Sequence, residues 1–352
     1  MPVHVTLATY SDWSYAAALV IYVGALLLYA AQLAGRAVPR RELVAAGRGT
    51  GRAVESEPAG HELREPAEIK AAGPKFGEPQ VEPAGSEFGE PPAGALPAGR
   101  DRYKRFGRMA VSLTVLGALV HAGSLALRGL AVDRVPWGNM YEFGSSICLV
   151  AVVAWLVVLR REPALLRLGA FVLLPIVILL FTSGTLLYSK ASALQPALQS
   201  YWIIIHVSAA VTASGVLLVA GMASLLYLVR LAHDRDSDRF ARLGQRLPAA
   251  DVLDRLAYRG TVFAFPVWTF AIITGAVWAE TAWGRYWGWD PKETVAFVAW
   301  VIYAGYLHAR ATAGWRTGRA AWVNVAGLVV MVFNLFFINL VVAGLHSYAG
   351  VG

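Results

Sequence analysis

Runs of about 20 apolar residues recur along the whole chain. No other feature limits the fold so severely, because a segment that crosses lipid must satisfy every backbone N–H and C=O within the protein. The runs are Trp13–Leu33, Met109–Leu127, Tyr141–Leu159, Leu168–Leu187, Trp202–Val229, Tyr258–Ala279, Thr294–His308 and Ala320–Leu345. The seventh is long enough only when Glu293 and Ala309–Ala311 serve as its interfacial turns. The expectation is an all-α, polytopic integral membrane helix bundle with about eight transmembrane helices. Composition agrees, with 57% hydrophobic and 15% charged residues among 352. A single cysteine, Cys148, leaves no disulfide framework or Cys-based metal centre within the chain, and its apolar surroundings read as those of an inert small hydrophobe.

Charge sets the expected orientation. The connections after runs one, three, five and seven hold most of the arginines, among them Arg40, Arg41, Arg160, Arg161, Arg239, Arg242, Arg316 and Arg319. The opposite side carries only Arg128, Arg134, Lys190, Arg285 and Lys292 near the runs. By the positive-inside rule both termini lie outside. The first run is not expected to be a cleaved signal peptide, since its arginines follow rather than precede it. The net charge of +8 then reflects basic loops facing anionic membrane lipid and calls for no nucleic acid. Residues 1–34 make the first transmembrane helix, and residues 35–105, rich in Pro, Gly, Glu and Ala, read as a disordered cytoplasmic linker. Residues 106–352 form the transmembrane core. Within it, Asp251–Tyr258 has apolar residues at helical spacing and reads as a short helix on the inner membrane surface.

The loop at 280–293 concentrates unusual chemistry. Trp283, Tyr286, Trp287 and Trp289 fall within seven residues, separated by Gly284 and Gly288 and closed by Asp290-Pro291-Lys292-Glu293. An interfacial aromatic belt explains one or two such rings. Rings separated by glycines also make a shelf for a planar, apolar ligand. His206, near the start of the fifth run, and His346, at the end of the eighth, share the depth of that shelf. Two imidazoles flanking a planar site suit axial coordination of haem iron, and the alternative is a pair of interfacial histidines bonded to backbone or water. His121 and His308 also lie at membrane depth, where a titratable group needs a partner or a function. Their depths differ by roughly 15 Å at the helical rise, too far for opposite faces of one iron. His4, His61 and His233 read as ordinary surface residues.

These segments together resemble the cytochrome c biogenesis proteins of the CcsA/CcsB (ResC) type, with their tryptophan-rich WWD motif. The resemblance rests on Ala276–Thr294, on Pro136-Trp137-Gly138-Asn139-Met140-Tyr141-Glu142-Phe143, on Leu194–Trp202 with His206, on Tyr306-Leu307-His308, and on Leu345-His346-Ser347-Tyr348. It covers the chain from about Leu116 onward and leaves the linker out. It implies haem transport across the bacterial cytoplasmic membrane and presentation for covalent attachment to apocytochrome c, with haem b bound as the transported substrate. His206 and His346 would ligate an external haem iron, cradled by Trp283, Tyr286, Trp287, Trp289 and Asp290, on the extracytoplasmic side. His308 would ligate haem within the membrane. A ResB-type partner would supply the large extracytoplasmic domain and, on the depth argument, the ligand opposite His308. His121 stays a candidate iron ligand, or bonds within the bundle.

The resemblance makes the chain the haem-handling component of a cytochrome c synthase complex rather than an independent enzyme, and no acid–base pair or activated nucleophile stands out. A quinone-linked, haem-containing electron-transfer subunit is an alternative, but more matched histidine pairs within the spans would be expected of it. A secondary transporter of an organic substrate is another, with Arg128, Glu142, Glu280 and Glu293 as gating charges and Pro175 and Gly184 breaking the fourth helix.

Overall fold

The computed structural model describes residues 3–34, 98–312, 318–342 and 344–346. Every long element among them is a helix: α1 (Val5–Ala34), α2 (Ala98–Val132), α3 (Met140–Arg161), α4 (Gly169–Thr185), α5 (Tyr201–Arg235), α6 (Ala250–Trp283), α7 (Pro291–Thr312) and α8 (Gly318–Leu340). Eight long helices therefore stand where eight runs are expected. Seven of them, α4 counted with the 3₁₀ turn Pro163–Leu168 before it, are long and apolar enough to cross a membrane. The exception is α7, diluted by Lys292, Glu293, His308 and Arg310. The chain is a multi-pass membrane protein.

Two boundaries differ from the sequence expectation. Residues 98–105 belong to α2 rather than to the linker, because Arg-Asp-Arg-Tyr-Lys-Arg contains no helix breaker and runs directly into the apolar segment. Most of the linker, 35–97, lies outside the described residues, as does His61. Asp251–Tyr258 is not a separate surface helix but the first turns of α6, with Leu253 and Ala257 buried. No proline or glycine interrupts 250–259, so the backbone ladder continues. Helix α4 runs unbroken through Pro175.

Lipid gives no hydrophobic drive for helix association, so close backbone approach through small residues takes its place. Helices α5 and α6 pack along one another through Ala209, Ala210, Ala213 and Ala220 on one side and Gly260, Ala264 and Ala271 on the other. Helix α8 packs on α5 and α7, and α3 on α4 and α5. On α1, Tyr15, Tyr22 and Tyr29 alternate with Ala18 and Ala25 and are all buried, a seven-residue repeat that keeps one stripe against the bundle. Cys148 is buried, with its thiol directed at the Ile176 carbonyl.

Two N-caps fix where helices begin at the end of the bundle that carries the α6–α7 loop. Asn139 Oδ1 accepts the Glu142 N–H at 2.8 Å to start α3, and Ser200 Oγ accepts the Trp202 N–H at 3.3 Å to start α5. At the same end α6 closes on Gly284, whose φ of +70° is the left-handed conformation a helix stop requires.

Candidate functional site

Asp290-Pro291-Lys292-Glu293 is a helix start. Asp290 Oδ2 accepts the Lys292 N–H at 3.3 Å, while Glu293 Oε2 reaches back to the N–H groups of Asp290 at 3.2 Å and Gly288 at 2.9 Å. Proline occupies the first helical position, where its missing N–H is not needed. This reciprocal cap holds the tryptophan loop to α7.

The same Asp290 carboxylate then does a second job across the fold. Its Oδ1 accepts the Leu345 N–H at 2.7 Å, and its Oδ2 accepts from His346 Nδ1 at 2.8 Å, 56 residues away. Gly344 permits the approach, since a Cβ there would stand 2.8 Å from Oδ1. Burial lowers the pKa of His346, and the Asp290 hydrogen bond pulls it only partly back, so the ring is neutral at neutral pH. Burial acts to raise the Asp290 pKa, but the hydrogen bonds from His346 and Leu345 outweigh it and keep the carboxyl below its usual range. With Nδ1 committed to a carboxylate, Nε2 is the nitrogen through which His346 can ligate a metal.

His206 is held in the same way by backbone. Its Nδ1 lies 2.8 Å from the Ala271 carbonyl of α6, and Gly275 one turn later leaves room for the ring, where a Cβ would come within 2.7 Å of it. The contact with Ala271 leaves Nε2 as the nitrogen through which His206 could ligate a metal. Trp278 stands beside both imidazoles: it stacks on His206 with centroids 6.1 Å apart and planes 7° apart, and its centroid lies 5.8 Å from that of His346. Trp283 packs edgewise on Trp278 and on His346, at 4.7 and 5.1 Å. The Trp278 indole N–H donates to the Ala197 carbonyl, tying in the segment before α5.

One cavity collects these groups, with about 1480 Å³ between protein atoms including its open mouth. His206, His346, Trp283, Tyr286 and Trp287 all line it, so five of the predicted site residues share one space. Trp289 does not line it. That ring is exposed, packs on Trp287 and Phe297, and sits on a backbone with φ of +56°. Asp290 stands behind His346 rather than against the cavity. Sequence reasoning did not assign Trp278, Trp268 or Lys292 to the site, and the walls include all three, together with Trp137 and Asn139 of the segment before α3. Trp278 lies five residues before Trp283, inside the Ala276–Thr294 stretch that carries the resemblance, but the sequence reading gives it no role there.

The remaining predicted ligands lie elsewhere. His121 is fully buried among α1, α2 and α3, with Nε2 2.8 Å from Ser145 Oγ and Nδ1 3.5 Å from Tyr22 OH. His308 is exposed on α7, a helix that packs on α6 and α8. Three of the four charges that a transporter would use as gates are held in place, while Glu280 is exposed near the end of α6. Arg128 bonds Glu142 at 3.1 Å and Asp12 at 3.3 Å, Arg134 bonds Glu142 at 2.8 Å, and Glu293 caps α7. Through the Gly138 N–H, 2.8 Å from Oε2, Glu142 also fixes the cavity wall at Trp137–Met140.

Residues 137–346 match the family described as cytochrome c assembly protein, a span that begins and ends at residues of the cavity wall. The chain is 35% identical over 254 residues to the cytochrome c biogenesis protein CcsA of Guillardia theta, covering 67% of this chain and 83% of that protein. It is 34% identical over 261 residues to CcsA of Parasynechococcus marenigrum strain WH8102, covering 67% and 85%, and 35% identical over 265 residues to CcsA of Prochlorococcus marinus strain MIT 9313, covering 67% and 82%.

Proposed function

The chain belongs to the cytochrome c assembly protein family and serves cytochrome c biogenesis, and from that premise we propose that it presents haem b from its tryptophan-walled cavity for attachment to apocytochrome c. The observation that carries this reading is the pair of histidines, each held through Nδ1 and each lining the same aromatic cavity. Anchored imidazoles present Nε2 in a fixed direction, which is what axial ligation requires of a protein. The apolar walls exclude water from a porphyrin face, and Trp283 and Trp287 offer their rings to its surface. Haem supplies vinyl groups that accept the two thiols of the apoprotein. The chain's own part is to bind, orient and release.

The protein then sits in the bacterial cytoplasmic membrane with both termini and the cavity on the extracytoplasmic side, an orientation supported by the arginine bias of the opposite loops. His308 takes haem within the membrane before transfer, and its opposing ligand comes from a ResB-type partner. The exposure of His308 on α7 supports a ligand from outside the chain, and the engagement of both ring nitrogens of His121 supports a bonding role for that residue within the bundle.

The test is the absorption spectrum of purified protein. A bis-histidine Soret and α-band pattern is expected, lost in the His206→Gly, His346→Gly double variant, while each single variant recovers it on addition of imidazole. The same spectrum in the double variant would remove these residues from the ligand set.

A further inference from the structure

One wall of the cavity has a chemistry that axial ligation and aromatic contact leave unused. Lys292 is the only Lys or Arg among the described residues that line it. Its ammonium donates to Asn339 Oδ1 at 2.8 Å and lies 6.0 Å from the Phe143 ring centroid. Among the described residues no carboxylate comes within ion-pair distance of it. The adjacent Glu293 directs Oε2 to backbone N–H groups. An ammonium carries three donors, and Asn339 takes one.

Asn339 is itself fixed. Its Nδ2 donates to the carbonyls of Asn334 and Leu335, at 3.1 and 2.6 Å, which turns Oδ1 toward Lys292. One turn earlier on α8, Asn334 is 8% exposed, lines the same cavity, and has an Oδ1 without a hydrogen-bond partner. A half-turn of that amide exchanges its oxygen for an N–H₂ donor. A cation and an amide with unmet hydrogen-bonding capacity, set in an apolar wall, are stabilised when an anion joins them.

We propose that Lys292 and the Asn334 amide form a subsite for an anionic oxygen group of the bound molecule, with Asn339 as the residue that positions the lysine. Resting on the haem reading above, the group is a propionate carboxylate, since haem held by His206 and His346 brings its two carboxylates into or beside the same cavity. Gripping a propionate would choose the in-plane rotation of the porphyrin, and with it the edge that the vinyl groups face. Axial histidines alone leave that rotation open.

The experiment compares haemin with haemin dimethyl ester, titrated by absorbance into the full-length protein in detergent, for the wild type, Lys292→Met and Lys292→Arg. The wild type should bind haemin about tenfold more tightly than the ester, the scale of one charge-assisted contact. Lys292→Met should bind both porphyrins alike, at the affinity of the ester, and Lys292→Arg should keep the preference. Equal binding of the two porphyrins by the wild type would overturn the subsite and leave the haem reading intact. Equal weakening of both by Lys292→Met would show that the lysine only supports the fold. If neither porphyrin gives a bis-histidine spectrum with the wild type, the haem reading itself falls, and the subsite falls with it.

Discussion

Two regions of this bundle bury polar side chains, and they do so in opposite ways. Between α1, α2 and α3, His121 engages Ser145 and Tyr22 through its two ring nitrogens, and Arg128 and Glu142 grip each other, with Asp12, Arg134 and Tyr188 completing the network. In the cavity at the ends of α5 to α8, His206 and His346 are each pinned by Nδ1, and Lys292 and the Asn334 Oδ1 line the space with no carboxylate or donor among the described residues to complete them. The first region is closed on itself. The second is arranged toward something that enters. A buried histidine is thus no evidence of a ligand site until its anchored nitrogen and the space before the other are both known.

The comparison breaks most readily at the closed region. Arg128→Ala should destabilise the protein by about 3–5 kcal/mol, because Asp12 and one edge of Glu142 lose their buried partner. Thermal unfolding in detergent should register that loss, while haem per folded molecule stays near the wild-type level through the remaining Arg134–Glu142 pair. Haem loss without loss of stability would join the two regions into one functional unit.

Asp290→Asn is the matching change at the open region. The new amide can still accept the Leu345 N–H, but its donor faces His346 Nδ1 and drives the imidazole proton to Nε2, the ligating nitrogen. Haem affinity should fall roughly 10–100-fold, as for other lost ligand-orienting partners. The wild type carries a pH signature of the same pair. The lowered pKa of His346 keeps coordination flat from pH 8 down to about 6.5, with loss only in more acid solution as the ring protonates. The carboxylate of Asp290 has a lowered folded pKa, so its stabilisation is present above the ordinary carboxylate range and lost as pH falls through that lower value. A Soret titration that breaks above pH 6.5 would contradict this assignment.

Trp287→Ala should reduce haem occupancy by an amount worth about 1–3 kcal/mol, the range for a large buried ring. Trp289→Ala should have a clearly smaller effect, since that ring lies off the cavity and acts only through Trp287 and Phe297. Pyridine haemochrome and immunoblot on the same membranes separate occupancy from abundance. The smallest effect on haem belongs to His121→Gln, which should leave the outer and the intramembrane centres unchanged and lower stability by about 1–3 kcal/mol through unpaired Ser145 and Tyr22. Selective loss of a haem signal in that variant would return His121 to the ligand set.

The sequence by itself determined the membrane bundle, the positions of eight long helices, and the presence of His206, His346, Trp283, Tyr286 and Trp287 at one level. Run length and a rise of about 1.5 Å per residue translate sequence position into depth. Depth does not say which way a side chain faces or which helix stands beside it. So the anchoring of His346 by Asp290, the place of Trp278 between two imidazoles, the outward turn of Trp289 and the exposure of Lys292 to the cavity were decided only by the tertiary structure. Each depends on contacts between residues of different helices or loops, where rotation about the helix axis and the path of a short connection place the atoms. A distance of 56 residues along the chain carries no trace of a 2.8 Å hydrogen bond.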